Sequence, residues 1–141
     1  SIDDEIIKQI KINIPKFIRN YNWNKFHEIE SEIIERMSDL DDRIFDTNYS
    51  IIKRNENIIN LRRTSLIILL TADVRTIISR AKSSRKNFDF SGENYLNELK
   101  NIFQELEPRY RNAADYIIDT SKLPPQEICD LITHYVQMEI Q

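Results

Sequence analysis

Ser65-Leu66-Ile67-Ile68-Leu69-Leu70-Thr71 is an unbroken apolar run, the pattern of a strand buried on both faces. Asp115-Tyr116-Ile117-Ile118-Asp119-Thr120 is a second such run, and Arg43-Ile44-Phe45-Asp46-Thr47 is short and β-prone. Helices fit around them, over about residues 55–63, 72–82, 93–111 and 125–139. Pro125 stands near the first turn of the last helix, where its missing N–H costs nothing. Strands alternating with helices predict βαβ units and a parallel sheet, an α/β fold in a single domain over residues 1–141.

Upstream of these runs the chain reads as helical. Ile6, Ile7 and Ile10, then Ile14, Phe17, Ile18 and Tyr21, recur at spacings of three and four, with a break or kink at Pro15. Phe26, Ile29, Ile33, Ile34 and Met37 continue the period and predict a helix over about 24–38, ended by the turn at Asp39-Leu40-Asp41-Asp42. Between Ser83 and Gly92 the polar stretch Ser-Ser-Arg-Lys-Asn-Phe-Asp-Phe-Ser-Gly is open to two readings, a mobile lid or a surface loop.

Composition excludes several classes of function. A net charge of −3 gives no overall basic field, which argues against a nucleic-acid partner. The longest apolar run, Leu66 to Leu70, is far short of the ~20 residues that span a bilayer, so no membrane role is expected. One cysteine, Cys129, excludes an intrachain disulfide and fits a reducing compartment, cytoplasmic or organellar. Gly92 is the only glycine, and no G-x-x-x-x-G-K-[ST] or G-x-G-x-x-G motif can be read. A phosphate-wrapping loop needs glycines to turn tightly and approach its ligand, so these residues hold no nucleotide-phosphate cradle. The first residue, Ser1, is not methionine, which suggests processing or a piece of a longer protein.

Individual residues read modestly on their own. Asp3, Asp4 and Glu5 are expected as helix-start acids favoured by the dipole. His27 and His134 read as half-exposed surface histidines, Cys129 as a buried structural thiol, and Trp23 as a partly buried anchor where a helix begins. One cysteine and two scattered histidines do not make a zinc site. Arg75, Arg80 and Arg85 fit either a phosphate-gripping helix or a solvated face.

Three segments taken in order resemble shikimate kinase, a small P-loop kinase. Asp3-Asp4-Glu5-Ile6, Ile14-Pro15 with Phe17, and Phe26-His27-Glu28-Ile29-Glu30 are similar to that family's D-x-x-I, I-P-x-I-F and F-R-x-x-E motifs. Leu66 through Ala72, followed by Arg80 and Arg85, is similar to its strand, helix and lid approach. Glu107-Pro108-Arg109-Tyr110, Ala114-Asp115, Ile118-Asp119-Thr120-Ser121 and Pro125 resemble its x-P-x-Y, A-D and I-D-T-S ending. The resemblance implies a three-layer α/β/α P-loop-kinase architecture, here missing the N-terminal strand and P-loop. It implies transfer of the ATP γ-phosphoryl to shikimate with Mg²⁺, wherever an upstream P-loop completes the site. It makes Asp3 the acceptor of hydrogen bonds from shikimate hydroxyls, places His27 on the substrate side, and puts Arg80 and Pro125 on the two faces of adenine. Arg85 takes the place of the lid arginine, with Lys86 where a proline follows in the family.

The departures point away from catalysis. His27 replaces the arginine that holds the substrate carboxylate, and Leu106 stands where a second such arginine belongs. Asn48-Tyr49-Ser50 replaces three glycines, and Ser1 replaces an aspartate tied to Mg²⁺. Losing one bidentate arginine–carboxylate contact costs about 2–5 kcal/mol, so two losses weaken shikimate binding by orders of magnitude. The substrate-side replacements at His27, Asn48-Tyr49-Ser50 and Leu106 lie inside the chain, where truncation does not reach. The expected function is therefore a non-catalytic shikimate-kinase-like domain, binding a shikimate-like small molecule or a protein partner. The alternative is a fragment of an active shikimate kinase.

Overall fold

The computed structural model describes residues 1–83 and 93–140, with side chains at 1–83 and 100–140. The described chain divides into two compact units, Ser1–Leu66 and Ile67–Gln141.

The first unit is helical. It contains α1 (Ile2–Ile10), α2 (Ile14–Asn20), α3 (Trp23–Ser38), a 3₁₀ turn (Tyr49–Lys53) and α4 (Asn55–Thr64). The break expected near Pro15 is a true joint. Lys11 closes α1 in the left-handed conformation with φ 59°, its N–H bonded to Ile7 O, and Asn13 caps α2 by accepting from Lys16 N. Pro15 then sits in the first turn of α2, where it interrupts nothing. Ile2, Ile6, Phe17, Phe26, Ile29, Ile33 and Ile34 are buried. Most of the stripe read from the sequence is thus core, each full burial stabilising by about 1.5–3 kcal/mol, whereas Ile7 and Tyr21 of that stripe are exposed.

Residues 43–47 are a correction. They form no strand; Ile44 is 96% exposed, and one backbone bond, Ile2 N to Asp46 O at 2.9 Å, anchors the segment. A strand exists only through a ladder with a neighbour. Among the described residues of this unit there is no strand to supply one.

The second unit carries β1 (Ile68–Thr71), α5 (Val74–Ser83), α6 (Glu93–Ala113), β2 (Tyr116–Asp119) and α7 (Pro125–Ile140). β1 and β2 pair in parallel, in register from Ile68 opposite Tyr116 to Thr71 opposite Asp119. The two strand readings and the parallel sheet hold. Burial of β1 on both faces does not hold: Leu70 is 51% exposed, and among the described residues β2 alone pairs with the strand. Residues 84–92, the stretch open to lid or loop readings, lie outside the described residues, and Arg85 with them.

Candidate functional site

The residues that the resemblance assigns to the substrate side meet in one chain of hydrogen bonds. Asn48 Nδ2 donates to Asp3 Oδ1 at 2.7 Å. Asn48 Oδ1 accepts from Ser50 N at 2.8 Å, an Asx-type bond that starts the 3₁₀ turn. Ser50 Oγ lies 2.6 Å from both Asn48 Oδ1 and Glu30 Oε2, so its single proton serves one acceptor at a time. The other Glu30 oxygen lies 3.3 Å from His27 Nδ1. Glu30 is fully buried, and such a carboxylate needs these partners to stay inside.

His27 is a second correction. It is buried, not half-exposed, with its ring stacked on Trp23 at 5.8 Å and 26° and edge-on to Phe26. One turn along α3 sets Glu30 beside it, and the spacing of three in F-H-E-I-E already encodes that pair. Asp3 lies in the first turn of α1 and is half-buried. The helix cap proper is made by Ser1 and Asp4; the Ser1 hydroxyl holds the Asp4 carboxyl below its usual range. Asp3 is thereby left to Asn48.

Tyr49 stands between Asn48 and Ser50 and is 47% exposed. Burial of its hydroxyl, aided by the Glu30 charge, pushes its pKa up. The side chains at 48–50 therefore do what bare glycines cannot: they build a polar bridge from α1 to α3.

In the second unit the chemistry gathers at the carboxyl ends of the two parallel strands, the usual position for a site in an open α/β sheet. Arg80 grips Thr120 with both ends of its guanidinium, Nη1 to Oγ1 at 2.9 Å and Nη2 to the carbonyl at 2.7 Å. Thr120 Oγ1 in turn donates to Thr71 O at 2.8 Å. The Ser121 hydroxyl donates to Asp119 Oδ1 at 2.6 Å and accepts from Asp73 N at 2.9 Å. The Ser121 hydroxyl and N–H hold the Asp119 carboxyl below its ordinary range, and the Thr76 N–H does the same for Asp73, the cap of α5. Pro125 opens α7 as expected and is exposed.

One further reading is corrected here. Cys129 is exposed on α7, because its position on that helix faces water. Leu106 is buried, 2% exposed, so apolar packing explains its presence where an arginine was in question. Sequence reasoning did not anticipate the Asn48–Ser50–Glu30 bridge or the Thr120 partner of Arg80. The polar residues at 48 and 50 were the available signal for the first; no local pattern announces the second, which joins residues 40 apart.

The fit to ATP and Mg²⁺ divides along the same lines. Arg80 is held by Thr120 and Pro125 is exposed at the start of α7, and these 141 residues supply no glycine-rich cradle for a triphosphate. Among the described residues no group of His, Cys, Asp or Glu side chains is arranged to hold a metal, and no helix is long and apolar enough to cross a membrane.

Comparison with known proteins agrees across both units. The shikimate kinase of Caldicellulosiruptor bescii is 28% identical over 124 residues, covering 88% of this chain and 72% of that protein. The shikimate kinase of Thermodesulfovibrio yellowstonii is 27% identical over 131 residues, 93% of this chain and 75% of that one. The solved structure of Acinetobacter baumannii shikimate kinase in complex with shikimate superposes with a TM-score of 0.88 at 18% identity, over 98% of this chain and 77% of that one. The Aquifex aeolicus shikimate kinase gives 0.81 at 19% identity, over 99% and 80%. These likenesses show the P-loop kinase fold. The family model for shikimate kinase matches residues 1–137, and the chain belongs to the shikimate kinase family.

Proposed function

We propose that this chain is a non-catalytic shikimate-kinase-like domain that binds a small polyhydroxylated acid of the shikimate class. The observation that carries this reading is the 2.7 Å bond from Asn48 to Asp3. The carboxylate assigned to substrate hydroxyls already holds an internal donor on Oδ1, and among the described residues only Oδ2 is without one. A ligand hydroxyl meets half of the acceptor that a bare glycine loop leaves open. His27, packed against Glu30 and Trp23, gives no planar fork for a carboxylate. Such a site supports weak recognition of a hydroxylated ring and opposes the tight positioning that phosphoryl transfer requires.

The domain is taken as one functional piece over 1–141, with Asp3 and His27 on the acceptor side and Arg80, Arg85 and Pro125 on the nucleotide side. A reducing compartment, cytoplasmic or organellar, suits the exposed free thiol of Cys129. A protein partner remains within the reading as the alternative occupant.

A second reading, an active kinase completed by a phosphate-binding segment outside these 141 residues, is favoured by one observation. The Thr120 clamp holds the Arg80 guanidinium in a fixed plane, as a base-stacking arginine requires. A coupled ATP/shikimate assay on the full gene product separates the two. Absence of turnover with measurable shikimate binding by titration calorimetry supports the first reading; turnover above background removes it.

A further inference from the structure

Trp23, Tyr49 and Lys53 form a cluster that the reading above leaves unused. Lys53 Nζ stands 5.8 Å from the Trp23 ring centroid and 6.0 Å from that of Tyr49. Trp23 is the first residue of α3; Tyr49 and Lys53 are the first and last residues of the 3₁₀ turn. Both rings are about half exposed, so they hold the ammonium at the surface. Ring faces attract a cation without using up its N–H donors in strong bonds. No carboxylate pairs with Lys53 among the described residues, whereas Lys8 and Lys25 each have one. Lys53 is thus a positioned cation with its hydrogen-bonding capacity unspent.

The cluster adjoins the polar bridge on two sides. Trp23 stacks on His27, and Tyr49 lies between Asn48 and Ser50 in the chain. His27 is buried and faces Glu30, so it leaves this rim without an exposed cation of its own. We propose that Lys53, framed by Trp23 and Tyr49, anchors the carboxylate of the ligand, while the apolar edge of the ligand ring rests against the two aromatic faces. The proposal rests on the shikimate-class reading for the identity of the ligand; its chemistry, a ring carboxylate, is broader. Lys53 supplies one point charge in place of a planar fork, which gives a weaker and less directional grip.

Trp23 is the only tryptophan, so its emission reports on this cluster alone. The test titrates the 141-residue protein with shikimate, with its methyl ester, and with cyclohex-1-ene-1-carboxylate, following both heat and Trp23 emission. The acids are expected to bind roughly three- to tenfold more tightly than the ester. That preference disappears in Lys53→Met and persists in Lys53→Arg. Lys53→Met keeping the wild-type preference overturns the role of Lys53 and leaves the shikimate reading standing. A response to cyclohexene carboxylate without one to shikimate supports Lys53 as the anchor and sinks the shikimate reading. Equal binding of acid and ester by the unmodified protein, or silence towards both acids up to tens of millimolar, overturns the proposal whether or not a variant folds.

Discussion

Asn48 and Asp3, 45 residues apart, are joined by one hydrogen bond that ties the start of α1 to the 3₁₀ turn. Asn48 also accepts from the N–H of Ser50 and shares that residue's hydroxyl proton with Glu30, so a single side chain joins α1 to the bridge. Asn48→Ala is expected to lower the unfolding free energy by about 1–3 kcal/mol, the range for a bond to a charged group with its neighbours. Urea denaturation followed by circular dichroism measures this. A change within a few tenths of a kcal/mol means that the bridge contributes nothing to stability.

Glu30 is the buried end of the same bridge. Replacing it with alanine removes the acceptor beside the buried His27 ring and leaves the Ser50 hydroxyl to Asn48 alone; the expected loss is about 2–4 kcal/mol. Glu30→Gln retains an acceptor for Ser50 and should recover part of that loss. Equal destabilisation by both variants would make charge, not hydrogen bonding, the main contribution.

The Arg80 clamp predicts a difference between two cationic replacements. Lysine cannot reproduce two parallel N–H donors, so Arg80→Lys should resemble Arg80→Ala, each losing about 1 kcal/mol. Chemical denaturation of the two variants side by side is the check. Full stability in Arg80→Lys would reduce the clamp to a point-charge contact.

Acid should weaken the second unit through two of its carboxyls. Hydrogen bonds depress the carboxyls of Asp73 and Asp119 below 3.8 in the folded state, so the unfolded chain binds their protons more readily. Their contribution is complete above the unfolded value and disappears as the pH falls through the depressed folded ones. Thermal unfolding at a series of pH values below about 4 should show a decline in melting temperature. That decline flattens when both residues become asparagine, which keeps an acceptor but does not titrate. An unchanged slope in the double variant refutes the assignment.

The sequence revealed periodic features clearly and relational ones poorly. The isoleucine and phenylalanine stripe from Ile6 to Ile34 located three helices because burial on one face imposes the helical period whatever the partner. Ile68 and Ile118 located two strands for a similar reason. Residues 43–47 misled because β-prone composition does not create a ladder partner. His27 misled because its burial follows from Glu30 beneath it and Trp23 above it, and single-residue reasoning treats each separately. Cys129 shows the converse: composition favours burial, but its position on α7 exposes it. The motif order identified the substrate-side cluster, but only coordinates showed that Asn48 and Ser50 bridge it.

The joint at Lys11 has a practical consequence for anyone who needs more of this protein in soluble form. A lysine at φ 59° carries a steric penalty that glycine does not, and Asp42 at φ 54° repeats the situation in the turn after α3. Lys11→Gly should relieve about 0.5–1 kcal/mol without touching the residues of either candidate site. A chain with one glycine thus leaves a simple thermostabilising substitution untaken at its first helical corner.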